Sequence, residues 1–189
     1  MEIKDWDKTY HGQGHVSKLA PAQFLQDNIA LLPKGKALDL AMGEGRNALY
    51  LASHGYVVTA IDGSEAAVEK CLQLARERGV LINGVVGDLT CYSIPPEEYD
   101  LIINFYYLQR DLIPKIKSGL RPGGMVVFET YTEEQGRYGH PKNPAYLLKT
   151  NELLHSFIDY KVIVYRELVL NVKEAGKEKA LASIIAQKP

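Results

Sequence analysis

The stretch "LDLAMGEGRNALYLA", residues 38–52, joins a short apolar run to a helical pattern through two closely spaced glycines. The apolar run "KALDLA" (36–41) has the character of a buried strand. The residues after the glycines place apolar side chains on one helical face and are followed by Gly55, which is typical of a helix end. The stretch therefore predicts a strand, a tight glycine turn and a helix.

The alternation of apolar runs and helical patterns continues along the chain. Four further apolar runs predict strands: "YVVTAID" (56–62), "VLINGVVGD" (80–88), "YDLIINFYY" (99–107) and "GGMVVFETY" (123–131). Helices are predicted at "PAQFLQDNIALL" (21–32), "SEAAVEKCLQLARERG" (64–79), "RDLIPKIKSGL" (110–120), interrupted near Pro114, and "NELLHSF" (151–157). Such alternation indicates a mostly parallel sheet that is covered on both faces.

The end of the chain departs from this rhythm. Two β-rich runs, "KVIVYRELVL" (161–170) and "KALASIIAQ" (179–187), are joined only by the polar segment "NVKEAGKE" (171–178). A parallel return needs a crossover of about a dozen residues, so these two strands are predicted to be antiparallel. The expected fold is therefore α/β and doubly wound, with a mostly parallel seven-stranded sheet and an antiparallel C-terminal edge hairpin.

The length and composition narrow the classes of function. The 189 residues are expected to form a single domain over 1–189, with an N-terminal lid and helix at 1–33 and a substrate-side insert at 132–149. Apolar residues make up 46% of the chain, charged residues 24%, and the net charge is -1, so there is no basic excess for binding nucleic acid. The polar start and the lack of a long apolar run predict a cytoplasmic protein without a membrane segment.

The cysteines and histidines give no metal signal. Cys71 and Cys91 have neither metal-ligand spacing nor the density of a disulfide scaffold, so both are expected to be reduced and structural. The segment "HGQGH" (11–15) is glycine-rich and a weak signal, and no metal is expected.

The glycine turn is the leading candidate for a ligand site, because ligands of open α/β sheets bind beyond the carboxyl ends of the strands. Gly43 and Gly45 with Ala48 satisfy the pattern G-x-G-x-x-A, and Asp62 follows the next strand at a spacing typical of an acid that binds a ribose. The pattern alone is also compatible with a dinucleotide site or with glycines that only make a tight turn.

The charges around the turn separate these ligands. Asp39 closes the first strand and Glu44 lies between the two glycines. These acids would repel a pyrophosphate, whereas they suit the ammonium group of S-adenosylmethionine. Arg46, just after the turn, is placed for the carboxylate of the same cofactor. The residues therefore favour S-adenosylmethionine over a dinucleotide.

A third acid follows the third predicted strand. Asp88 would lie at the adenine end of the cofactor, where its side chain can accept from the adenine amino group and the Leu89 N–H can donate to the ring. The other interpretation of Asp88 is a helix or turn cap. Acids at the ends of three successive strands favour the cofactor site.

Together these residues resemble the class I S-adenosylmethionine-dependent methyltransferases. The resemblance rests on "DLAMGEG" (39–45), on the acids after the second and third strands and on "LRPGG" (120–124), and it covers the chain from about Trp6 to the last strand. The segment 37–64 is most similar to the tellurite-resistance methyltransferase group, and "GHPKNPAYLL" (139–148) to its uncharacterised relatives. The resemblance implies a Rossmann-like methyltransferase fold with S-adenosylmethionine as cofactor.

The resemblance also implies further cofactor contacts and shows two departures. It adds these residues to the expected cofactor site: Tyr10, Ala41, Gly63, Ser64, Asn104 and Tyr106. Met42 stands where many relatives have cysteine, and Ala41 where many have glycine. The segment "NPAY" (143–146) resembles the N-P-P-Y motif of amino-group methyltransferases but follows the fifth strand rather than the fourth.

The acceptor side is expected at the same edge of the sheet. Long loops in compact domains are often functional, so the insert at 132–149 is the expected substrate wall. In it, His140 is the candidate general base and Arg137 the candidate partner of an acidic substrate group; their alternative is an ordinary solvated loop. Tyr107 is the third candidate catalytic residue, next to the expected methyl group, with a role in the core as its alternative.

The predicted function is methyl transfer from S-adenosylmethionine to a small-molecule acceptor by in-line displacement. Two alternatives remain open: a non-catalytic module that binds the cofactor, and a dinucleotide-dependent oxidoreductase. The sequence does not identify the acceptor atom or the oligomeric state.

Overall fold

Seven strands form one mixed sheet in the computed structural model, which describes residues 20–172 and 177–189. The strands are β1 (Lys36–Leu40), β2 (Val57–Asp62), β3 (Ile82–Val86), β4 (Tyr99–Phe105), β5 (Leu120–Tyr131), β6 (Lys161–Val172) and β7 (Lys177–Gln187). The helices are α1 (Gln23–Asn28), α2 (Arg46–Ser53), α3 (Glu65–Glu77), α4 (Leu112–Gly119) and α5 (Glu152–Ser156), with 3₁₀ turns at Ile29–Leu31, Glu133–Arg137 and Pro144–Tyr146. The predicted α/β class is confirmed. The predicted lid lies largely outside the described residues, and so does Tyr10.

The strand order is β3-β2-β1-β4-β5-β7-β6, and the first five strands in the chain are parallel. The chain moves outward from β1 to β3 and then returns to the other side of β1 as β4, so the order reverses between β1 and β4. Leu40 pairs with both Ile61 and Asn104. The carboxyl ends of β1, β2 and β4 therefore lie side by side, as the glycine turn predicted.

The C-terminal hairpin is antiparallel, as predicted, and it also places the last strand inside the sheet. β7 pairs antiparallel with both β5 and β6, so β6 forms the edge. The pairing of β5 with β7 runs from Met125↔Gln187 to Tyr131↔Leu181, whereas β6 and β7 continue to Val172↔Lys177. The hairpin thus extends beyond the carboxyl end of β5 and brings the start of β7 to the edge of the candidate site.

Helices cover both faces of the sheet because the central strands are apolar on both sides. On one face, Ile102 and Phe128 pack with residues of α4 and α5. On the other face, Ile103 and Val127 pack with residues of α1, α2 and α3. None of the helices in the described ranges has the length and apolar character that a membrane crossing requires.

Two local expectations are corrected. Pro114 does not interrupt a helix, because α4 begins at Leu112 and places the proline in the first turn, where no backbone N–H has an intrahelical partner. β5 begins at Leu120, earlier than predicted. Both cysteines are free; Cys71 is buried, and the exposed Cys91 donates from its thiol to the Asp88 carbonyl.

Gly45 allows α2 and α3 to approach each other behind the glycine turn. Its φ is +81°, in the left-handed region that favours glycine. A Cβ built on Gly45 would overlap the Sγ of Cys71 and lie 2.9 Å from the Cβ of that residue. Cys71 is itself fully buried, so it has little room to move away. The second glycine of the turn is therefore required for packing.

We predict that Gly45→Ala destabilises the protein much more than Gly55→Ala does. Gly55 has the same backbone conformation, with φ +82°, but no atom lies within 4 Å of its virtual Cβ. Gly55→Ala should cost about 1 kcal/mol of backbone strain, whereas Gly45→Ala adds overpacking of about 1–3 kcal/mol. Urea unfolding curves of the two variants test this prediction, and equal midpoints would contradict it.

Candidate functional site

The glycine turn after β1 has an unusual backbone. Ala41, Gly43 and Gly45 have positive φ values of 53°, 56° and 81°. The Met42 N–H donates to the carbonyl of Ile61 over 3.0 Å, so the turn is fastened to the end of β2. Because the chain folds back in this way, the backbone of the turn lies close to the acid that ends β2.

The side chain of Asp62 also holds the turn in place. Its Oδ2 accepts a hydrogen bond of 2.8 Å from the Gly43 N–H, and its Oδ1 accepts one of 3.0 Å from the Ser64 N–H. The carboxylate is half-buried, and a carboxylate can accept about four hydrogen bonds. Asp62 therefore holds the glycine turn and the start of the following loop together.

Asp39 is a buried carboxyl group at the end of β1, with an exposed fraction of 1%. Its pKa is raised to about 8, mainly by burial and also by the charge of Asp62, while Arg46 and the Ala48 N–H oppose the shift. Its Oδ2 has no hydrogen-bond partner within the described part of the chain. This oxygen is kept out of water, and it becomes a strong acceptor when the group is ionised.

Asn104, near the end of β4, also has a buried atom without a partner. The residue is fully buried, and its Nδ2 donates to the Tyr107 carbonyl over 2.7 Å. Its Oδ1 accepts from no group that the structure describes. Buried acceptors are nearly always satisfied, so two of them on neighbouring strands at the reversal point indicate a ligand that brings hydrogen-bond donors.

Tyr106, directly after β4, is held by a buried polar network. Its φ is +60°, an uncommon conformation for a residue other than glycine. Its hydroxyl donates to Glu129 Oε1 over 3.1 Å, and its N–H donates to the Glu129 carbonyl. Glu129, 2% exposed, also accepts from Ser183 Oγ over 2.7 Å and from Arg166 over 3.2 Å. The network fixes the tyrosine ring.

Two cations contact the ring of Tyr106. The guanidinium carbon of Arg46 lies 5.3 Å from the ring centroid, and Lys179 Nζ lies 4.9 Å from it. Both distances are within the range of a cation–π interaction. Arg46 is the first residue of α2. Lys179 belongs to β7, which lies on the other side of β4 in the sheet.

The end of the candidate site that carries Asp88 is more open. Asp88 is exposed, and its Oδ1 accepts from the Thr90 N–H over 2.9 Å. Hydrogen bonds from Thr90 lower its pKa, so the group is ionised at neutral pH. The turn-cap interpretation of Asp88 thus describes its local contact, and the ionised carboxylate still has free lone pairs.

Tyr107 lies near Asp88 and near Tyr146 of the insert. Its hydroxyl donates to Gln109 Oε1 over 2.6 Å. Burial raises its pKa, and nearby Asp88, Asp62 and Tyr146 raise it further. The structure therefore brings this predicted residue close to two of the predicted acids and to one residue of the insert.

The insert is anchored through its backbone. Arg110 forms a two-point ion pair with Glu152 at 2.6 and 2.9 Å, and it donates to the carbonyls of Ala145 and Leu147. The buried Gln135 accepts from the Ala180 N–H over 2.9 Å, which ties the insert to β7. The insert therefore has a defined position against the sheet.

The other predicted residues have different placements. His140 and Arg137 are exposed, and neither side chain forms a hydrogen bond or ion pair with another described residue. Ser64 is buried and caps α3 by accepting from the Ala67 N–H over 3.2 Å. Leu89 is buried, and its carbonyl accepts from Gln109. The structure therefore does not bring His140 and Arg137 into contact with Tyr107.

Several site residues were missed by the sequence analysis. They are Glu129, Tyr131, Arg166, Lys179 and Ser183. A signal was present in "VVFETY" (126–131), where a charged residue interrupts an apolar strand. Tyr131 ends the same strand, whereas Arg166, Ser183 and Lys179 lie in β6 and β7. Strand pairing brings Arg166 and Ser183 to Glu129 and Lys179 to the ring of Tyr106.

Comparisons with known proteins agree with this geometry. A family model described as a methyltransferase domain matches residues 37–124. The probable S-adenosyl-L-methionine-dependent methyltransferase TehB of Haemophilus influenzae is 27% identical over 150 residues, covering 75% of this chain and 51% of TehB. The crystal structure of H. influenzae TehB superposes with a TM-score of 0.79 at 22% identity, covering 100% of this chain and 68% of that chain.

Residues 37–124 match the methyltransferase-domain family, and the chain resembles S-adenosylmethionine-dependent methyltransferases.

The curated relatives match this chain over only part of their own length. A protein named hemagglutinin 1 from Eikenella corrodens is 30% identical over 141 residues, covering 71% of this chain and 46% of that protein. The chain thus spans about half the length of the curated relatives that it matches.

The residues present fit the cofactor of this methyltransferase class. The unpartnered oxygens of Asp39 and Asn104 require donors, which the ammonium and hydroxyl groups of S-adenosylmethionine can supply. The described residues include no cluster of three or more His, Cys, Asp or Glu that would hold a metal ion.

We predict that Asp39→Asn stabilises the protein in the absence of ligand, and more so as the pH rises. The folded-state pKa of Asp39 lies near 8, above the ordinary value of 3.8. Between these values the folded state binds the extra proton, so the wild type loses stability with rising pH, by up to about 1.4 kcal/mol per pH unit. The asparagine variant lacks this loss.

Urea unfolding at pH 5 and at pH 7.5 measures the difference. The stability gain of Asp39→Asn over the wild type should be larger at pH 7.5. Asp111→Asn, at an exposed position, controls for the replacement itself. A gain that is equal at both pH values would contradict the burial of an ionisable group at Asp39.

Proposed function

We propose that the protein transfers the methyl group of S-adenosylmethionine to a small-molecule acceptor. The observation that carries this proposal is the buried, unpartnered oxygen of Asp39 behind a turn that also bears Arg46. An acid and a base a few residues apart match the two charges of an amino-acid end group. S-adenosylmethionine carries such a group, whereas the pyrophosphate of a dinucleotide would meet the acids of Asp39 and Glu44.

The chain's own residues would hold the cofactor along the reversal point. Asp39 would accept from the ammonium, Arg46 would pair with the carboxylate, and Asp62 would accept from the ribose hydroxyls. Asp88 and the Leu89 N–H would contact the adenine. The remaining proposed contacts come from Ala41, Gly43, Gly45, Gly63, Ser64, Asn104 and Tyr106.

The catalytic contribution of the protein is mainly one of alignment. The cofactor supplies a methyl group already activated by its sulfonium, so no protein nucleophile is required. The walls around Tyr106 and Tyr107 would exclude water and hold the acceptor in line, which can supply roughly 7–11 kcal/mol of barrier reduction. Tyr107 would position the acceptor. His140 is retained as a proposed base and Arg137 as a proposed acceptor contact, although both are exposed.

The proposal is tested first by binding. Isothermal titration is expected to show binding of S-adenosylmethionine and S-adenosylhomocysteine and none of NAD. Asp62→Ala should weaken both adenosyl ligands by at least about tenfold, which is 1.4 kcal/mol. Glu98→Ala, at the opposite edge of the sheet, serves as the control and should leave binding unchanged. Binding of NAD alone would overturn the proposal in favour of an oxidoreductase.

Transfer is tested separately with cofactor labelled in its methyl group. Label is expected to move into a small molecule of a metabolite extract. Tight cofactor binding without any transfer would favour the non-catalytic binding module. His140→Ala is expected to lower the rate with the identified acceptor, and full turnover in this variant would remove the base assignment.

We further predict that the affinity for S-adenosylmethionine rises with pH between 5.5 and 7.5. Asp39 must be ionised to bind the ammonium, but its pKa of about 8 keeps it protonated in the free protein. The α-amino group of the ligand stays largely protonated below pH 7.5, so the change reports Asp39. The affinity should increase by up to about tenfold per pH unit.

Titrations of the wild type and of Asp39→Asn measure this dependence. The variant should bind more weakly than the wild type at pH 7.5 and should lose the slope. The same slope in both proteins would assign the titration to another group.

A further inference from the structure

Lys179 is a half-buried cation without an acidic partner. No carboxylate lies within 4.0 Å of its Nζ among the residues that the structure describes, and the same holds for Arg46. Both cations face the one ring of Tyr106. Like charges brought together at a partly desolvated place are unfavourable unless an anion joins them.

Glu129, the acid of the network behind Tyr106, already has hydrogen-bond partners. Glu129 accepts hydrogen bonds from Tyr106, Ser183 and Arg166. Arg166 also stacks over the ring of Phe24, 4.5 Å from its centroid. The charge of Glu129 is thus balanced by Arg166, and the cluster of Arg46, Lys179 and Arg166 keeps an excess of positive charge.

We propose that Lys179 binds a carboxylate of the methyl acceptor, so that the acceptor is a small organic acid. This inference rests on the proposed methyl transfer and names the substrate class of the same site.

The position of Lys179 in the sheet assigns it to the acceptor rather than to the cofactor. Arg46 follows directly from the glycine turn and is the cation on the side of β1. Lys179 belongs to β7, which is separated from β1 by β4 and β5. The cofactor contributes one carboxylate, which pairs with Arg46. The second cation therefore has an anion of its own, and that anion comes from the acceptor.

The surroundings of Lys179 favour an organic molecule. The rings of Tyr106 and Tyr131 lie 5.4 Å apart between centroids and are half-buried, which gives the site an aromatic wall. An inorganic oxyanion would leave that wall without a contact, whereas the carbon skeleton of an organic acid covers it.

The pKa of Lys179 agrees with this role. Burial lowers the pKa, Arg46 lowers it further, and Glu129 opposes the shift. A bound carboxylate would favour the charged amine, so the anion and Lys179 stabilise each other in the complex.

The test uses Lys179→Met and Lys179→Arg, with Lys161→Met as the matched control at an exposed position of β6. A metabolite extract is first separated into anionic, neutral and cationic fractions. Each fraction is then incubated with the full-length protein and methyl-labelled S-adenosylmethionine. Label is expected in the anionic fraction only. Lys179→Met should lower this transfer at least tenfold, while Lys179→Arg and Lys161→Met stay within about threefold of the wild type.

A binding measurement separates the two proposals. S-adenosylhomocysteine should bind Lys179→Met as tightly as the wild type, whereas Arg46→Met should weaken it tenfold or more. Equal weakening by both variants would place Lys179 on the cofactor and overturn the inference while leaving methyl transfer intact. Transfer of label to the neutral or cationic fraction, or to an inorganic oxyanion, would overturn it too. Absence of transfer in every fraction would overturn the proposed function itself.

Discussion

A hydrogen bond from the Gly43 N–H to the carboxylate of Asp62 connects the first glycine turn with the end of the second strand. Such a bond to a charged acceptor contributes about 1.5–3 kcal/mol, and here it also sets geometry. With the Met42 N–H bonded to the Ile61 carbonyl, it orients the start of α2 and thereby Arg46. The proposed cofactor residues of the turn and of α2 depend on this contact, because the turn sets where α2 begins.

Burial of charge sets the balance between stability and binding in this site. Asp39 is out of water, with a carboxyl oxygen that no described group satisfies. A fold keeps such an unfavourable group only where the surrounding packing holds it in place or where a bound ligand offsets its free-energy cost. The close packing of Gly45 on Cys71 supplies the first condition, and the proposed ammonium of the cofactor supplies the second. The site is therefore complete only when its ligand is bound.

The acceptor side is built by a different part of the chain. Glu129 on β5, Ser183 on β7 and Arg166 on β6 meet across three paired strands. Through Glu129 this network holds the hydroxyl group of Tyr106. The same hairpin extends past the end of β5 and places Lys179 Nζ 4.9 Å from the centroid of the Tyr106 ring. The antiparallel edge is thus more than a closure of the sheet, because it provides both the support and the charge of the proposed acceptor site.

The sequence by itself determined the fold class and the order of the elements, and it supplied the proposed cofactor half of the site. These features depend on local signals, namely strand and helix periodicity, positive-φ glycines and acids at strand ends such as Asp39, Asp62 and Asp88. The tertiary structure decided the rest. Lys179, Glu129 and Arg166 lie far from Tyr106 along the chain, and only strand pairing and register bring them to it. Whether Pro114 breaks a helix depended likewise on where α4 begins. Contacts between residues distant in sequence leave no local pattern, so the proposed role of Lys179 became visible only in the folded chain.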